Sequence, residues 1–424
     1  MFSRSTAIRL QSMRRRIQCT LLLMLCGLTP YSVYADEVDD PLVIESSCEG
    51  VSPGKLERCM LVESGIRANL EGHYGEADII WEKLRRLDPK DPVPDIWAAE
   101  TAWWRLVLDD GMSSQDVLIQ KATDRAIRLA NAKLKIDDED AVAVGAKGMA
   151  LMMQARLNGL RGRYLAAGRA GEKGRVLLEQ AVMLNPDRRE TLFPLAVYYY
   201  YAGVAPSFVK WVSWLWFVPK GDRKKGLALL SELQAGQGPR ADEARFMLMV
   251  VNTYHAPMNF SSALASGRLL HERYPENILF QSELVEVMLK EGLYEEAIET
   301  ALALEAQAPR DSAARSRLML ARILRAQGTL LMGNSDQAEA ILNSVDEEQA
   351  LLPAWGGAWL HLVRAQLLDA RGERQQALVE YAFVIDLKGP SYNERAALIA
   401  KAGMVSPFDP AEYRESPMID IGPL

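Results

Sequence analysis

Small and apolar residues recur along this chain in a fixed order. A glycine is followed five residues later by an alanine or another glycine, as in GHYGEA from Gly72 and GLYEEA from Gly292. Apolar or small side chains stand four and seven positions further on, and a proline follows about twelve positions after the alanine. The positions that define this repeat are Gly72, Ala77, Pro89, Gly221, Gly226, Ala263, Pro275, Gly292, Ala297, Pro309, Gly333, Ala338, Gly372 and Ala377.

Each part of the repeat has a physical role. Glycine provides a turn with positive φ, and the small residue after it allows two helices to approach closely. Apolar residues at offsets of four and seven form one stripe along a helix, and the proline ends that helix. The pattern predicts antiparallel helix pairs whose stripe is buried only against the next pair. We therefore expect an all-α, right-handed superhelical solenoid.

The repeat resembles the tetratricopeptide repeat (TPR) family. The resemblance lies in the second helix of each unit, for example GLYEEAIETALALEAQAPRD from Gly292, and it implies about eight units over residues 61–390. Residues 391–424 would follow as a capping helix and an extended tail. In this family the first helices line a concave groove that binds peptides. The resemblance therefore implies a protein or peptide partner in that groove.

An aromatic insertion at residues 203–220 separates the two helices of the fourth unit. Its aromatic side chains are Phe208, Trp211, Trp214, Trp216 and Phe217, and basic residues follow them. Three interpretations stay open. The insertion folds back on the array and fills a gap, or it anchors a protein partner, or it contacts the membrane surface with its basic residues against anionic headgroups. It is too short to cross a bilayer.

The first 35 residues have the pattern of a secretory signal peptide. A basic segment precedes the apolar stretch IQCTLLLMLCGL, and SVYA ends at Ala35 before acidic DEVDD. This order predicts cleavage after Ala35 and a periplasmic or secreted mature protein. One alternative is a membrane anchor, for which the apolar stretch is short. Another is a lipoprotein with a lipidated Cys26, although Leu25 is larger than such signals prefer. Both Met1 and Met13 fit as the start of the signal.

Removal of the signal changes both the charge and the cysteine content. The formal net charge falls from −7 to −12, because the signal carries five arginines and no acidic residue. A chain this acidic is a poor candidate for binding nucleic acid, because the phosphates require a positively charged surface. Cys48 and Cys59 remain, with Pro53 and Gly54 between them to turn the chain. In an oxidising compartment they predict a disulfide within segment 36–60. Free thiols in a metal or redox site are the alternative, which no C-x-x-C spacing supports.

The chain carries no sequence motif for catalysis. The histidines His73, His255, His271 and His361 lack metal-ligand spacing, and neither G-x-S-x-G nor a P-loop occurs. GLRGRYLAAGRAGEKG, from Gly159, lacks the preceding strand of a phosphate-binding loop. We interpret it as a flexible turn between helices. The sequence predicts no enzyme, no metal and no cofactor.

These features favour an exported TPR-like scaffold that mediates protein–protein interactions in the cell envelope. Two alternatives stay open. The first is a periplasmic accessory of a solute transporter, because the exported helical-repeat T-components of TRAP-type transporters are broadly similar. The second is a peripheral adaptor at the membrane surface that uses the aromatic insertion.

Overall fold

The computed structural model describes residues 48, 53–186, 189–204, 221–236, 238–255, 257–307, 312–346, 351–353, 355–389 and 393–415. They all belong to one compact unit, Glu45–Leu424. Within these residues the chain forms helices and no strand. The α-helices are α1 Pro53–Leu70, α2 Tyr74–Leu87, α3 Val93–Leu108, α4 Ser113–Leu134, α5 Ala141–Leu160, α6 Tyr164–Leu184, α7 Leu192–Val204, α8 Arg223–Gln234, α9 Pro239–Tyr254, α10 Phe260–Arg273, α11 Ile278–Glu291, α12 Tyr294–Glu305, α13 Ser312–Leu331, α14 Ser335–Asp346, α15 Gly356–Ala370, α16 Arg374–Asp386, α17 Glu394–Val405 and α18 Pro410–Glu415.

From α1 to α16, the described helices pack as consecutive antiparallel pairs. On α2, the second helix of the first pair, Ala77, Trp81 and Leu84 stand at the repeat offsets and are all buried. The same offsets are buried on α12. The first helix of each following pair also packs against this stripe, and one cluster of buried apolar side chains joins residues 66–108 to residues 249–331. The predicted fold class, an all-α solenoid of TPR-like helix pairs, is confirmed.

Glycine turns join the two helices of several pairs. Gly72 has φ +79° and Gly292 has φ +82°, a region that side chains with a Cβ avoid. The N–H of His73 donates a hydrogen bond of 2.7 Å to the carbonyl oxygen of Ala68. The N–H of Gly72 donates a hydrogen bond of 3.1 Å to the carbonyl oxygen of Asn69. This pair of bonds satisfies the last carbonyls of α1 and turns the chain into α2.

The first helices of the pairs line the inner face of the array, and first helices of distant pairs contact one another there. Helix α1 contacts α9, and α3 contacts α13. The Trp104 ring on α3 lies 5.6 Å from the ring of Phe246 and 6.0 Å from that of Phe280, measured between centroids. Arg317 on α13 donates a hydrogen bond of 3.1 Å to the carbonyl oxygen of Val107. The chain's own helices therefore fill part of the expected groove, which narrows the space left for a partner.

The glycine-rich segment from Gly159 is largely helical, so the interpretation as a flexible turn is wrong. The turn is confined to residues 161–163, and α6 begins at Tyr164. A Cβ on Gly174 of α6 would lie 3.0 Å from the carbonyl oxygen of Gly148 on α5. These glycines allow two long helices to pack closely, and composition alone does not distinguish that role from flexibility.

The segment predicted as an extended tail also contains a helix. Helix α17 packs against α15 and α16, with Ala396 buried. Beyond it, the backbone N–H of Phe408 donates to the Asp369 carboxylate at 2.8 Å. Asp409 then accepts a hydrogen bond of 2.8 Å from the Ala411 N–H at the start of α18. The first bond holds Phe408 against α15, and helix α18 corrects the prediction of an extended tail at Pro410–Glu415.

Candidate functional site

Charged and aromatic side chains converge on the inner face near the C-terminal end of the array. They come from helices α9, α11, α13, α15 and α17, and from Trp355, which immediately precedes α15. Most of them line a cavity of about 150 Å³. We call this set the inner cluster; it comprises Tyr254, Glu283, Glu286, Lys290, Arg317, Trp355, Trp359 and Arg395.

Helix α11 provides both carboxylates of the inner cluster. Glu283 and Glu286 are three residues apart, so they lie on the same face of the helix. Asn277 caps the first turn by accepting a hydrogen bond of 3.0 Å from the Phe280 N–H. The left-handed Gly292 ends the last turn. Capping at both ends fixes where the two carboxylates stand on the inner face.

Glu283 pairs with an arginine from the next unit. The Arg317 guanidinium donates to Glu283 at 3.1 Å, and its Cζ lies 5.2 Å from the centroid of the Trp355 ring. The Arg317 side chain is 8% exposed, and its Nε–H has no hydrogen-bond partner. A guanidinium so deeply buried requires its carboxylate partner, because an unpaired charge there would be costly.

Glu286 pairs with an arginine from the capping helix α17. A guanidinium nitrogen of Arg395 donates to a Glu286 carboxylate oxygen. The Cζ of Arg395 lies 3.9 Å from the centroid of the Tyr254 ring and 5.3 Å from that of the Trp359 ring. The Tyr254 hydroxyl donates to Glu283 at 2.5 Å and to Glu286 at 2.8 Å. The two ion pairs therefore share one tyrosine.

Burial and charge act in opposite directions on these groups. Burial raises the pKa of Glu286, but the charges of Arg395 and Lys290 and the bond from Tyr254 outweigh it and lower the pKa to about 2. Burial lowers the pKa of the Lys290 ammonium. Burial raises the pKa of Tyr254 well above its usual value, and the neighbouring carboxylates raise it further. At neutral pH Glu286 is therefore ionised beside a neutral Tyr254, and its carboxylate holds the Arg395 guanidinium.

A second charged group lies where α3 meets α9. Arg240 pairs with Glu243 on α9, and its Cζ lies 4.3 Å from the Trp97 ring on α3. Glu100 on α3 accepts from Arg156 at 3.4 Å. Burial raises the pKa of Glu243 to about 7, with the Glu100 charge acting in the same direction. Through Arg240 and Trp97, this group joins α9 to α3 within the array.

A larger cavity of about 340 Å³ lies where the first pair meets the sixth. His73 and Glu276 stand at its wall, with His73 Nε2 3.0 Å from a Glu276 carboxylate oxygen. Leu108, Leu279 and Ala314 provide apolar lining. The polar groups at this wall are partnered with each other, so the cavity presents fewer unsatisfied groups to a ligand than the inner cluster does.

The candidate residues from the sequence fall in several places. Phe208, Trp211, Trp214, Trp216 and Phe217 lie outside the described residues, as do Pro309 and the predicted signal peptide. The structure joins Cys48 to Cys59 by a disulfide, with the Cα atoms 5.8 Å apart. The repeat alanines Ala77, Ala263, Ala297, Ala338 and Ala377 are buried. Gly72, Gly292, Gly333 and Gly372 form turns, Gly221 precedes α8 and Gly226 lies within it, and Pro89 and Pro275 follow helices.

Two absences hold for the part of the chain that the structure describes. No group of three or more His, Cys, Asp or Glu side chains there is arranged to hold a metal ion. None of those helices is long and apolar enough to cross a bilayer. His361 instead lies 2.6 Å from Glu380, through Nδ1.

Sequence reasoning missed the inner cluster. Glu283 and Glu286 are carboxylates three residues apart on a predicted helix, a pattern that is usually solvated. The available signal was their position on a first helix, beside the apolar Leu284 and Met288. Arg395 is 109 residues from Glu286, and no local pattern connects two positions so far apart.

No protein-family model matches this chain, and no curated protein sequence matches it. Similarity to solved structures extends to a tetratricopeptide repeat protein from Parabacteroides merdae, with 14% identity, TM-score 0.28, and coverage of 82% of this chain and 98% of that one. It also extends to human IFIT1, solved as a dimer with PPP-AAAA, with 16% identity, TM-score 0.40, and coverage of 86% and 80%. Yeast Tom70 shows 13% identity, TM-score 0.23, and coverage of 86% and 98%. The class of this protein, an all-helical TPR-like array, follows from its own helix pairs.

Proposed function

We propose that the protein is an exported scaffold that holds a protein partner at the inner cluster. The observation that carries this proposal is the convergence of arginine, glutamate, tryptophan and tyrosine side chains from helices of different units on one cavity. Arginine, tryptophan and tyrosine are the residues that dominate the energetics of protein interfaces. A solenoid presents such side chains on rigid helices, which lowers the entropic cost of ordering them on binding.

The proposed location rests on the sequence. A basic, apolar and small-residue segment precedes the acidic mature start, and the disulfide between Cys48 and Cys59 suits an oxidising compartment. Both features support export to the periplasm or an equivalent envelope space.

Site-specific crosslinking in living cells tests the scaffold function. A photo-crosslinking amino acid replaces Trp355, which lines the inner cavity, in the full chain. The matched control replaces Ile79 on α2, which is 72% exposed. We expect one protein adduct from position 355 and none from position 79. The purified adduct partner should then form a complex of fixed stoichiometry with the wild-type chain.

Two results would contradict this function. Identical sets of adducts from both positions would show contact without specificity. The absence of any protein adduct, together with saturable binding of a small solute, would instead support the transport-accessory alternative.

A further inference from the structure

The guanidinium of Arg395 lies in a cradle formed by side chains of three other helices. Tyr254 on α9 and Trp359 on α15 place their rings near the guanidinium carbon, at centroid distances of 3.9 Å and 5.3 Å. Glu286 on α11 accepts a hydrogen bond from one of its N–H groups. Only 13% of the Arg395 side chain is exposed. We call Tyr254, Glu286 and Trp359 the cradle.

The cradle is held in place by bonds that do not involve Arg395. The Tyr254 hydroxyl donates to Glu286 at 2.8 Å and to Glu283 at 2.5 Å, which fixes both the ring and the carboxylate. Lys290 lies 3.6 Å from the same Glu286 carboxylate. Aromatic rings beside a flat cation and a carboxylate at its edge match a guanidinium better than the round ammonium of lysine.

Apart from Arg395, helix α17 is attached at its C-terminal end, where the Arg374 guanidinium donates to the carbonyl oxygens of Gly403 at 2.6 Å and Met404 at 3.0 Å. The residues that it buries are the alanines Ala396, Ala397 and Ala400, and each buries less apolar area than a large side chain would. Met404 and Val405 at its end are exposed. In the first turn of α17, the contact of Arg395 with Glu286 is the ion pair that holds the helix to the inner face.

We infer that the cradle is a guanidinium site that Arg395 fills from within the chain, and that an arginine side chain of a protein partner takes its place when α17 moves away. This inference rests on the proposed scaffold function and names the chemistry of the partner. In this arrangement α17 acts as an internal competitor, and the scaffold binds only a partner that outcompetes it.

Three features favour an arginine carried by a basic protein. The guanidinium that the cradle already holds is presented by a helix, so the site accommodates the backbone that follows it. The adjoining cavity of about 150 Å³ has apolar walls that include Leu320 and Leu324, which suit the methylene stem of an arginine. The acidic chain, with formal net charge −7 before and −12 after removal of the predicted signal, favours a basic partner.

The test removes the internal arginine and supplies one from solution. Acetyl-arginine amide, acetyl-lysine amide and free arginine are titrated by calorimetry against the full-chain wild type, Arg395→Ala and Arg395→Ala/Glu286→Gln. We expect saturable binding of acetyl-arginine amide to Arg395→Ala. Binding to wild type should be at least tenfold weaker because Arg395 competes. Binding to the double variant and binding of the lysine amide should be lost. Lys401→Ala, an exposed change on the same helix, should behave as wild type.

Three results would overturn the inference. A folded Arg395→Ala chain that binds none of the probes would show that the cradle is only a structural clamp. Preference for free arginine over the amide would show a small-molecule site. Equal binding of both amides to Arg395→Ala would show that the site does not select a guanidinium.

A second measurement applies if Arg395→Ala does not fold. The rate of amide hydrogen exchange in α17 of the wild-type chain is measured without acetyl-arginine amide and with it. The amide is added until the exchange rate no longer changes with its concentration. Faster exchange confined to α17 supports displacement of Arg395, and unchanged exchange contradicts it. Failure here would leave the crosslinks from position 355 intact, whereas failure of the scaffold function would remove them. The two outcomes are therefore distinguishable.

Discussion

The side-chain amide of Asn277 donates a hydrogen bond of 2.7 Å to the carbonyl oxygen of Leu70, 207 positions earlier in the chain. The other atom of that amide, Oδ1, accepts a hydrogen bond of 3.0 Å from the Phe280 N–H and caps α11. Asn277 is 0% exposed, so water does not replace either bond. One side chain thus joins the first helix pair to the sixth.

Asn277→Asp separates the two roles of this side chain. Aspartate keeps the capping oxygen but brings a carboxylate, in place of a donor, to the Leu70 carbonyl oxygen. We expect a loss of about 1–3 kcal/mol in the free energy of unfolding, measured by urea denaturation. Asn259→Asp is the control, because Asn259 caps α10 at an exposed site through Ser262, and it should cost less than about 0.5 kcal/mol. Equal costs would show that the bond to Leu70 contributes nothing.

The stability of the chain should depend on Glu243 between about pH 4.5 and 7. Burial raises the pKa of Glu243 to about 7 in the folded state, above its ordinary value of 4.5. The folded state therefore binds more protons in this window, and its stability falls as pH rises. In wild type, this shift lowers the free energy of unfolding by up to about 1.4 kcal/mol per pH unit, and Glu243→Gln should abolish that decrease. Parallel pH profiles of the variant and wild type would contradict the shift.

Glu286 should have the opposite effect at acid pH. Its pKa of about 2 lies below its ordinary value, because Arg395 and Lys290 outweigh the effect of burial. The stability that its charge contributes is complete above about pH 4.5 and is lost as pH falls toward 2. Glu286→Gln should therefore flatten this acid limb of the unfolding curve. The exposed pair of Glu296 with Arg268 offers Glu296→Gln as a control, and a flattened limb there as well would show a general charge effect.

Gly226 should be intolerant of any side chain. A Cβ there would lie 2.6 Å from the backbone nitrogen of Tyr200 and 2.8 Å from the carbonyl oxygen of Ala196, both on α7. Backbone atoms cannot move aside as a side chain can, so Gly226→Ala should cost about 1–3 kcal/mol. Gly159→Ala is the matched control within α5, where nothing lies within 4 Å of the added carbon. It should stabilise by about 0.5–1 kcal/mol in thermal unfolding, because alanine favours helix. A Gly226→Ala chain as stable as wild type would show that α8 can move away from α7.

Local periodicity predicts the helix pairs because the residues that specify them are neighbours on one helix. Ala77, Trp81 and Leu84 show their shared face through their spacing alone. The contacts of Asn277 with Leu70 and of Arg395 with Glu286 depend instead on the curvature of the array. A short stretch of sequence does not determine that curvature. For the same reason the two glutamates of α11 look like ordinary solvated residues until α17 is placed against them.

Export and the disulfide can be tested together on the protein isolated from its own cells. If the signal is cleaved after Ala35, Cys19 and Cys26 are removed, and the remaining cysteines are Cys48 and Cys59. Intact-mass spectrometry should then find a chain that begins at Asp36. Alkylation under denaturing conditions without reductant should label no cysteine, whereas reduction should expose two.

Cys59→Ser should lower the unfolding free energy of the exported protein by about 2–3 kcal/mol, since a bridge that closes a short loop stabilises by about that amount in the chain-entropy model. Reductant should lower wild type toward the variant and leave the variant unchanged. A cytosolic chain with its arginines intact and four reactive thiols would contradict export.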